Sequence, residues 1–139
     1  FVLAPENLMK EFRKAHQFIV FTVNTHIQYA LAQFLKNEEN YQGLGKFYQK
    51  KRDLFLSLIR ESKFKPVASS GTYFQVLDYS DISQQGEMEY AEHLIKEHGL
   101  ASVPVSAFYH KKDDHKMLRF CFAKQEDTLE KTAEILCKI

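Results

Sequence analysis

The period at which apolar residues recur changes along this chain, and no other feature narrows the possible folds as much. From Pro5 to about Ser62 the apolar positions keep helical spacing, while Lys65 to Ala68, Thr72 to Leu77 and Met117 to Phe122 read as short strands. Helical spacing returns from about Glu126 to Ile139. Strands embedded among helices make the class α/β or α+β. There is no internal repeat and no low-complexity segment.

Within the helical part, Leu8, Met9, Phe12 and Ala15 mark a short amphipathic helix over Pro5 to His16, with Pro, Glu and Asn at its start. An apolar run, Phe18 to Val23, follows. Asn24 or Thr25 then caps a second helix carrying Ile27, Ala30, Leu31 and Phe34. The polar stretch Asn37 to Gly45 is the natural place for a domain boundary. A longer helix from Lys46 to Ser62 follows, with two apolar stripes, Phe47, Leu54 and Leu58 on one and Tyr48, Phe55 and Ile59 on the other. Its Lys50, Lys51 and Arg52 read as a solvated face. Met88, Ala91, Leu94 and Ile95 mark a further helix that Gly99 ends, and the last helix buries Leu129, Ala133 and Leu136.

Composition excludes several classes of function. The 139 residues are one domain's worth by length, and 45% are apolar with only 5 Gly and 3 Pro, which rules out a disordered or collagen-like chain. Lys+Arg of 19 against Asp+Glu of 18 leaves a net charge of +1, so bulk electrostatics offers no case for nucleic acid or an anionic membrane. No apolar run is long enough to span a bilayer, and Phe1 to Ala4 is too short a run before Pro5 for a signal peptide. The first residue is Phe1 rather than Met, so the chain reads as a piece of something longer. Cys121 and Cys137 make no disulfide framework, which points to a reducing cytoplasm, and both are expected to be core thiols.

Few residues stand out for chemistry. His93 and His98, five apart, are expected on different helix faces, and His110, Asp113, Asp114 and His115 read as a polar turn; no metal site is expected. Arg119 is conspicuous. In Leu118-Arg119-Phe120-Cys121-Phe122 the period of two puts Leu118, Phe120 and Phe122 on one face and Met117, Arg119 and Cys121 on the other. A mid-strand guanidinium either lies on an open sheet face or is held to bind a carboxylate through two parallel hydrogen bonds. Pattern alone leaves both open. Gly71-Thr72-Tyr73-Phe74 places two aromatic rings at a strand start, as core residues or as a pocket wall.

Taken in order, Phe1-Val2-Leu3-Ala4-Pro5, His16-Gln17, Gln28-Tyr29-Ala30, Gly71-Thr72-Tyr73-Phe74, Val103-Pro104-Val105-Ser106-Ala107-Phe108-Tyr109 and Leu118-Arg119-Phe120-Cys121-Phe122-Ala123-Lys124 resemble the C-terminal part of the fold type I, pyridoxal-phosphate-dependent aminotransferases of class I/II. The branch most similar is that of the methionine, glutamine and kynurenine aminotransferases. The resemblance spans essentially all 139 residues. It implies a mixed or antiparallel small sheet packed by helices, with residues 1–43 as the tail of the large cofactor-binding domain and 44–139 as the C-terminal small domain.

The resemblance also implies roles. Arg119 matches the arginine that pairs with the α-carboxylate of the amino-acid or 2-oxo-acid substrate. Phe21 and Thr22 match the segment that reaches across a homodimer to line the neighbouring subunit's pocket. Phe74, and with it Tyr73, matches the segment flanking the substrate side chain. The cofactor-binding lysine, the phosphate-holding residue, the aspartate for the pyridine nitrogen and the ring stacked on pyridoxal 5'-phosphate all precede Phe1 in the family. The chain is therefore expected to hold no catalytic and no cofactor-binding residue and to be inactive alone. The implied activity of the whole is amino-group transfer between an apolar, methionine-like or aromatic amino acid and a 2-oxo acid. Cysteine-conjugate β-elimination on the same scaffold is the alternative. A third possibility, of another class, is a truncated binding module. Phe12, Phe18, Phe21, Ile27, Leu31 and Phe34 argue against it, because they need a partner surface.

Overall fold

The computed structural model describes residues 1–139 and divides them into two compact units, Phe1–Gly43 and Leu44–Ile139.

In the N-terminal unit, α1 (Glu6–Ile19) begins where the Pro5 carbonyl accepts from the Leu8 and Met9 amides at 3.0 and 2.9 Å. It runs a turn beyond His16, because no Gly or Pro interrupts Gln17-Phe18-Ile19. Phe21 stops it. The Val20 and Phe21 amides both donate to the His16 carbonyl, and Phe21 then takes φ +65, a conformation costly for a bulky side chain. Of the two candidate caps for α2 (Thr25–Phe34), Asn24 is the one used: its side-chain oxygen accepts from the His26 and Ile27 amides at 3.0 and 3.3 Å. A single turn, α3 (Glu39–Gln42), completes the unit. None of the three helices buries a residue.

The C-terminal unit is built differently. After α4 (Leu44–Leu58) come β1 (Lys65–Pro66), β2 (Phe74–Asp78), α5 (Glu87–His98), β3 (Val103–Pro104), a 3-10 turn (Val105–Phe108), β4 (Met117–Cys121) and α6 (Glu126–Lys138). The strands form one sheet in the order β1-β2-β4-β3 with every neighbouring pair antiparallel. Strand alternation is clean on β2 and β4: Gln75, Leu77, Leu118 and Phe120 are buried, whereas Phe74, Val76, Met117 and Arg119 are half-buried. On the buried side the sheet meets Phe55 and Ile59, Tyr90 and Leu94, and Leu129, Ala133 and Leu136. Each large apolar side chain so enclosed contributes about 1.5–3 kcal/mol. The small antiparallel sheet packed by helices is the one the sequence led us to expect.

Several sequence expectations need correction. On α5 the buried face is Glu87, Tyr90, Ala91 and Leu94, while Met88 and Ile95 are exposed. The Tyr79 and Tyr90 rings, stacked at 4.3 Å, set that rotation. Gly99 does end the helix, at φ +64. The cysteines are free but exposed: Cys121 is the last residue of β4 on its half-open face, and Cys137 lies in the last turn of α6. His93 and His98 meet edge to face at 5.7 Å, with no third ligand to make a metal site. The basic residues of α4 are tethered within the chain. Lys51 donates to the Lys124 carbonyl, and Arg52 donates to the Ser69 carbonyl at 2.9 Å and to Asp53.

Candidate functional site

The half-open face of the sheet is where a charged group and an unfilled surface coincide. Antiparallel register places Arg119 between Val76 of β2 and Val103 of β3, with Phe74 opposite Cys121 one step along the same face. The 3-10 turn that follows β3 carries Phe108 to the same place. The Arg119 guanidinium carbon lies 4.4 Å from the centroid of the Phe74 ring and 4.8 Å from that of Phe108.

This arrangement leaves the donors free. Aromatic rings engage the π-face of a guanidinium, whereas its five N–H bonds lie in its plane. Arg52 spends its own donors on Ser69 and Asp53. Arg119 instead donates to no atom of the chain, and every ion pair in the molecule is made by another cation. A stacked, half-buried cation with its planar donors unspent is suited to a carboxylate held through two parallel bonds.

The other sequence candidates fall in two places. Phe74 shares the face of Arg119. Tyr73 touches the Phe74 ring edge-on at 5.7 Å but lines a different hollow, about 480 Å³, with Tyr48, Arg52, Ser69, Gly71 and Phe122. Phe21 and Thr22 belong to the N-terminal unit, at the bend after α1. There the Phe21 ring is 84% exposed and the Thr22 hydroxyl donates only to the neighbouring Val23 carbonyl. A bulky residue held in the left-handed region costs about 1–3 kcal/mol, and such strain tends to be kept where it aims a side chain.

Sequence reasoning gives Phe108 no individual role, since beside Tyr109 in a Pro-led segment nothing local marks which ring faces Arg119. The turn bearing it is held by an equally unsuspected group. The carboxylate of Glu87, the first residue of α5 and only 1% exposed, accepts hydrogen bonds from the backbone amides of Ser106 at 2.5 Å, His115 at 2.9 Å and Met117 at 3.1 Å. An acidic residue in a first helical turn is ordinary, and Glu89 beside it looks the same in sequence. Beyond the clamp, Asp114 and Lys116 bond to each other, and the Lys116 ammonium also donates to the Gln84 and Gln85 carbonyls.

The frame around this site is that of the aminotransferases. The crystal structure of YbdL from Escherichia coli, described as having a methionine aminotransferase function, matches with a TM-score of 0.90 and 41% identity over 99% of this chain and 36% of that one. N-succinyldiaminopimelate aminotransferase from Mycobacterium tuberculosis matches with a TM-score of 0.83 and 27% identity over 97% of this chain and 36% of that one. The chain belongs to the aminotransferase class I and II family, whose model matches residues 1–136. The methionine aminotransferase of Escherichia coli (strain K12) is 42% identical over 137 residues, 98% of this chain and 36% of the relative. Kynurenine–oxoglutarate transaminase 1 of mouse is 32% identical over 158 aligned positions, 98% of this chain and 37% of the relative. The chain thus spans little more than a third of the length of the relatives it matches.

The family implies pyridoxal phosphate, but the residues around Arg119 do not fit that group. It needs an amine to hold its aldehyde, and β2 and β4 place Phe74, Val76, Asp78, Met117 and Cys121 around Arg119, with no lysine among them. Lys65, at the outer edge of the sheet, is paired with Asp81. Lys116 is tied to two carbonyls and Asp114. No step on the cofactor is therefore derived from these residues. No helix is long and apolar enough to cross a membrane.

Proposed function

We propose that this chain supplies the carboxylate-anchoring part of a pyridoxal-phosphate-dependent aminotransferase that moves an amino group between a methionine-like, aromatic or other apolar amino acid and a 2-oxo acid. The observation that carries the reading is Arg119, stacked by Phe74 and Phe108 and with none of its N–H groups committed within the chain. Its guanidinium binds the substrate carboxylate bidentately. A charge-assisted bond of this kind is worth roughly 1.5–3 kcal/mol before desolvation is counted. Two such bonds fix orientation as well as position, so the bond to be broken at Cα is presented at a constant angle. Phe74 flanks the substrate side chain, and Tyr73 borders the approach to it.

Residues 1–43 are, in this reading, the end of the large cofactor-binding domain, and 44–139 the small domain. Phe21 and Thr22 contribute to the neighbouring subunit's pocket in a homodimer, which gives the exposed, strained Phe21 a purpose. The free cysteines suit a reducing cytoplasm. The truncated-module alternative draws no support from the N-terminal unit, where Phe18, Phe21, Ile27 and Leu31 are exposed rather than replaced by polar residues.

The test is an amino-transfer assay on the complete protein with methionine, phenylalanine and kynurenine as donors and 2-oxo acids as acceptors. Transfer from at least one donor, with kcat/KM lowered about a hundredfold or more by Arg119→Ala, is the expected result. Full activity in Arg119→Ala contradicts the assignment, and release of pyruvate or ammonia from cysteine conjugates without transfer favours β-elimination.

A further inference from the structure

Glu87 is a buried carboxylate with no ionic partner: all three of the bonds it accepts come from backbone amides of one segment, 19, 28 and 30 positions along the chain. Ser106 stands where that segment leaves β3, and His115 and Met117 stand where it enters β4. One carboxylate therefore joins both ends of the segment to the first turn of α5. Little else does. β3 pairs with β4 over only two residues, and the 3-10 turn's own closing bond, from the Tyr109 amide to the Ser106 carbonyl, is local. Phe108 is 62% exposed, so packing alone does not fix its ring. The approach is also close, since a Cβ added at Gly86 would meet the Asp114 carboxylate at 3.2 Å.

We propose that Glu87 is a positioning residue for the Arg119 site, clamping the turn and the start of β4 so that Phe108 stays against the guanidinium and its N–H edge keeps one orientation. The proposal rests on the reading of Arg119 as the carboxylate anchor. Met117, whose amide the clamp holds, is two residues from Arg119 on the same face of β4, and Ser106 is two residues before Phe108. Releasing the three amide donors loosens the turn that carries Phe108 while Arg119 stays in the sheet between Val76 and Val103, and a displaced ring at a bidentate anchor lowers its selectivity. No group on Glu87 touches the substrate.

The test uses the complete protein and measures the ratio of affinities for L-methionine and L-methioninamide, which differ at the carboxylate. Glu87→Gln keeps the size of the side chain but replaces one acceptor oxygen with a donor facing backbone N–H groups. It is expected to lower the acid-over-amide ratio about tenfold, to speed amide exchange at Ser106, His115 and Met117, and to leave the helix content unchanged. Phe108→Ala, at an exposed position, is expected to lower the ratio similarly, and Glu87→Gln to add almost nothing on that background. A ratio unchanged by Glu87→Gln, or equal losses on both backgrounds, overturns the proposal. If Glu87→Gln does not fold, an unchanged ratio in Phe108→Ala alone overturns it. Arg119→Lys separates the two levels: a ratio that survives that change overturns the anchor reading itself, whereas a ratio lost in Arg119→Lys and kept in Glu87→Gln overturns only the role of Glu87.

Discussion

The two units of this chain are similar in apolar content and opposite in what they do with it. Leu44–Ile139 encloses fifteen apolar side chains, from Phe55 to Leu136, in one cluster, whereas Phe1–Gly43 encloses none. The helices of the N-terminal unit are properly made. α1 and α2 have apolar positions at the right spacing, and α2 has a side-chain cap. The difference shows that local sequence signals suffice to define a helix, and that only a facing surface turns its apolar stripe into stability.

Hydrogen exchange on the 139-residue chain addresses this difference where its effect is largest. Core amides of β2, β4 and α6 are expected to be protected by the stability of the C-terminal unit, roughly a thousandfold or more for about 5 kcal/mol, while amides of α1 and α2 exchange close to the unprotected rate. Equal protection in both units would break the comparison. A matched pair of substitutions sharpens it. Leu118→Ala, at a fully enclosed position, is expected to cost about 2–5 kcal/mol in denaturant unfolding of the chain, and Leu31→Ala, with half its surface already in water, no more than about 0.5 kcal/mol.

Phe21→Gly separates conformation from use. Glycine accepts φ +65 without strain, so the substitution is expected to stabilise the bend after α1 by at most about 1 kcal/mol, read as slower exchange at Phe18 to Thr22. In the complete protein it should nevertheless lower kcat/KM, because the ring is lost; an unchanged kcat/KM removes Phe21 from the pocket. The smallest effect concerns Asp78. A hydrogen bond from the Ser80 amide, opposed by partial desolvation and helped by the Ser80 hydroxyl and Lys65, holds this carboxyl below its ordinary value of 3.8. A lowered folded value means that the stabilisation is present above pH 3.8 and is lost as pH falls from there towards the folded value. Asp78→Asn is expected to flatten the acid limb of the C-terminal unit's stability in that window, by less than about 1 kcal/mol at a site still partly open to water.

Much of the architecture could be read before the structure. Alternation through Leu118-Arg119-Phe120 is enough to put Arg119 on the face away from the core, Asn24 opens a helix through its own side-chain oxygen, and Gly99 closes one because it lacks a Cβ. Signals of a different kind were out of reach. Phe108 and Glu87 matter through partners far along the chain, and no local pattern distinguishes Glu87 from Glu89. The outward turn of Cys121 and Cys137 likewise reflects where β4 and α6 end, against the general tendency of cysteine to be buried. Met88 lost its expected core place to Tyr90 because ring stacking set the rotation of α5.

The central claim is a division of labour, with the substrate carboxylate anchored by Arg119 and the cofactor held by residues other than those of this chain. Borohydride reduction of the complete native protein, followed by peptide mapping, tests it most directly. The account predicts one phosphopyridoxyl group, attached to a lysine outside residues 1–139 as numbered here. A label on any lysine between Lys10 and Lys138, or no label at all, would contradict it.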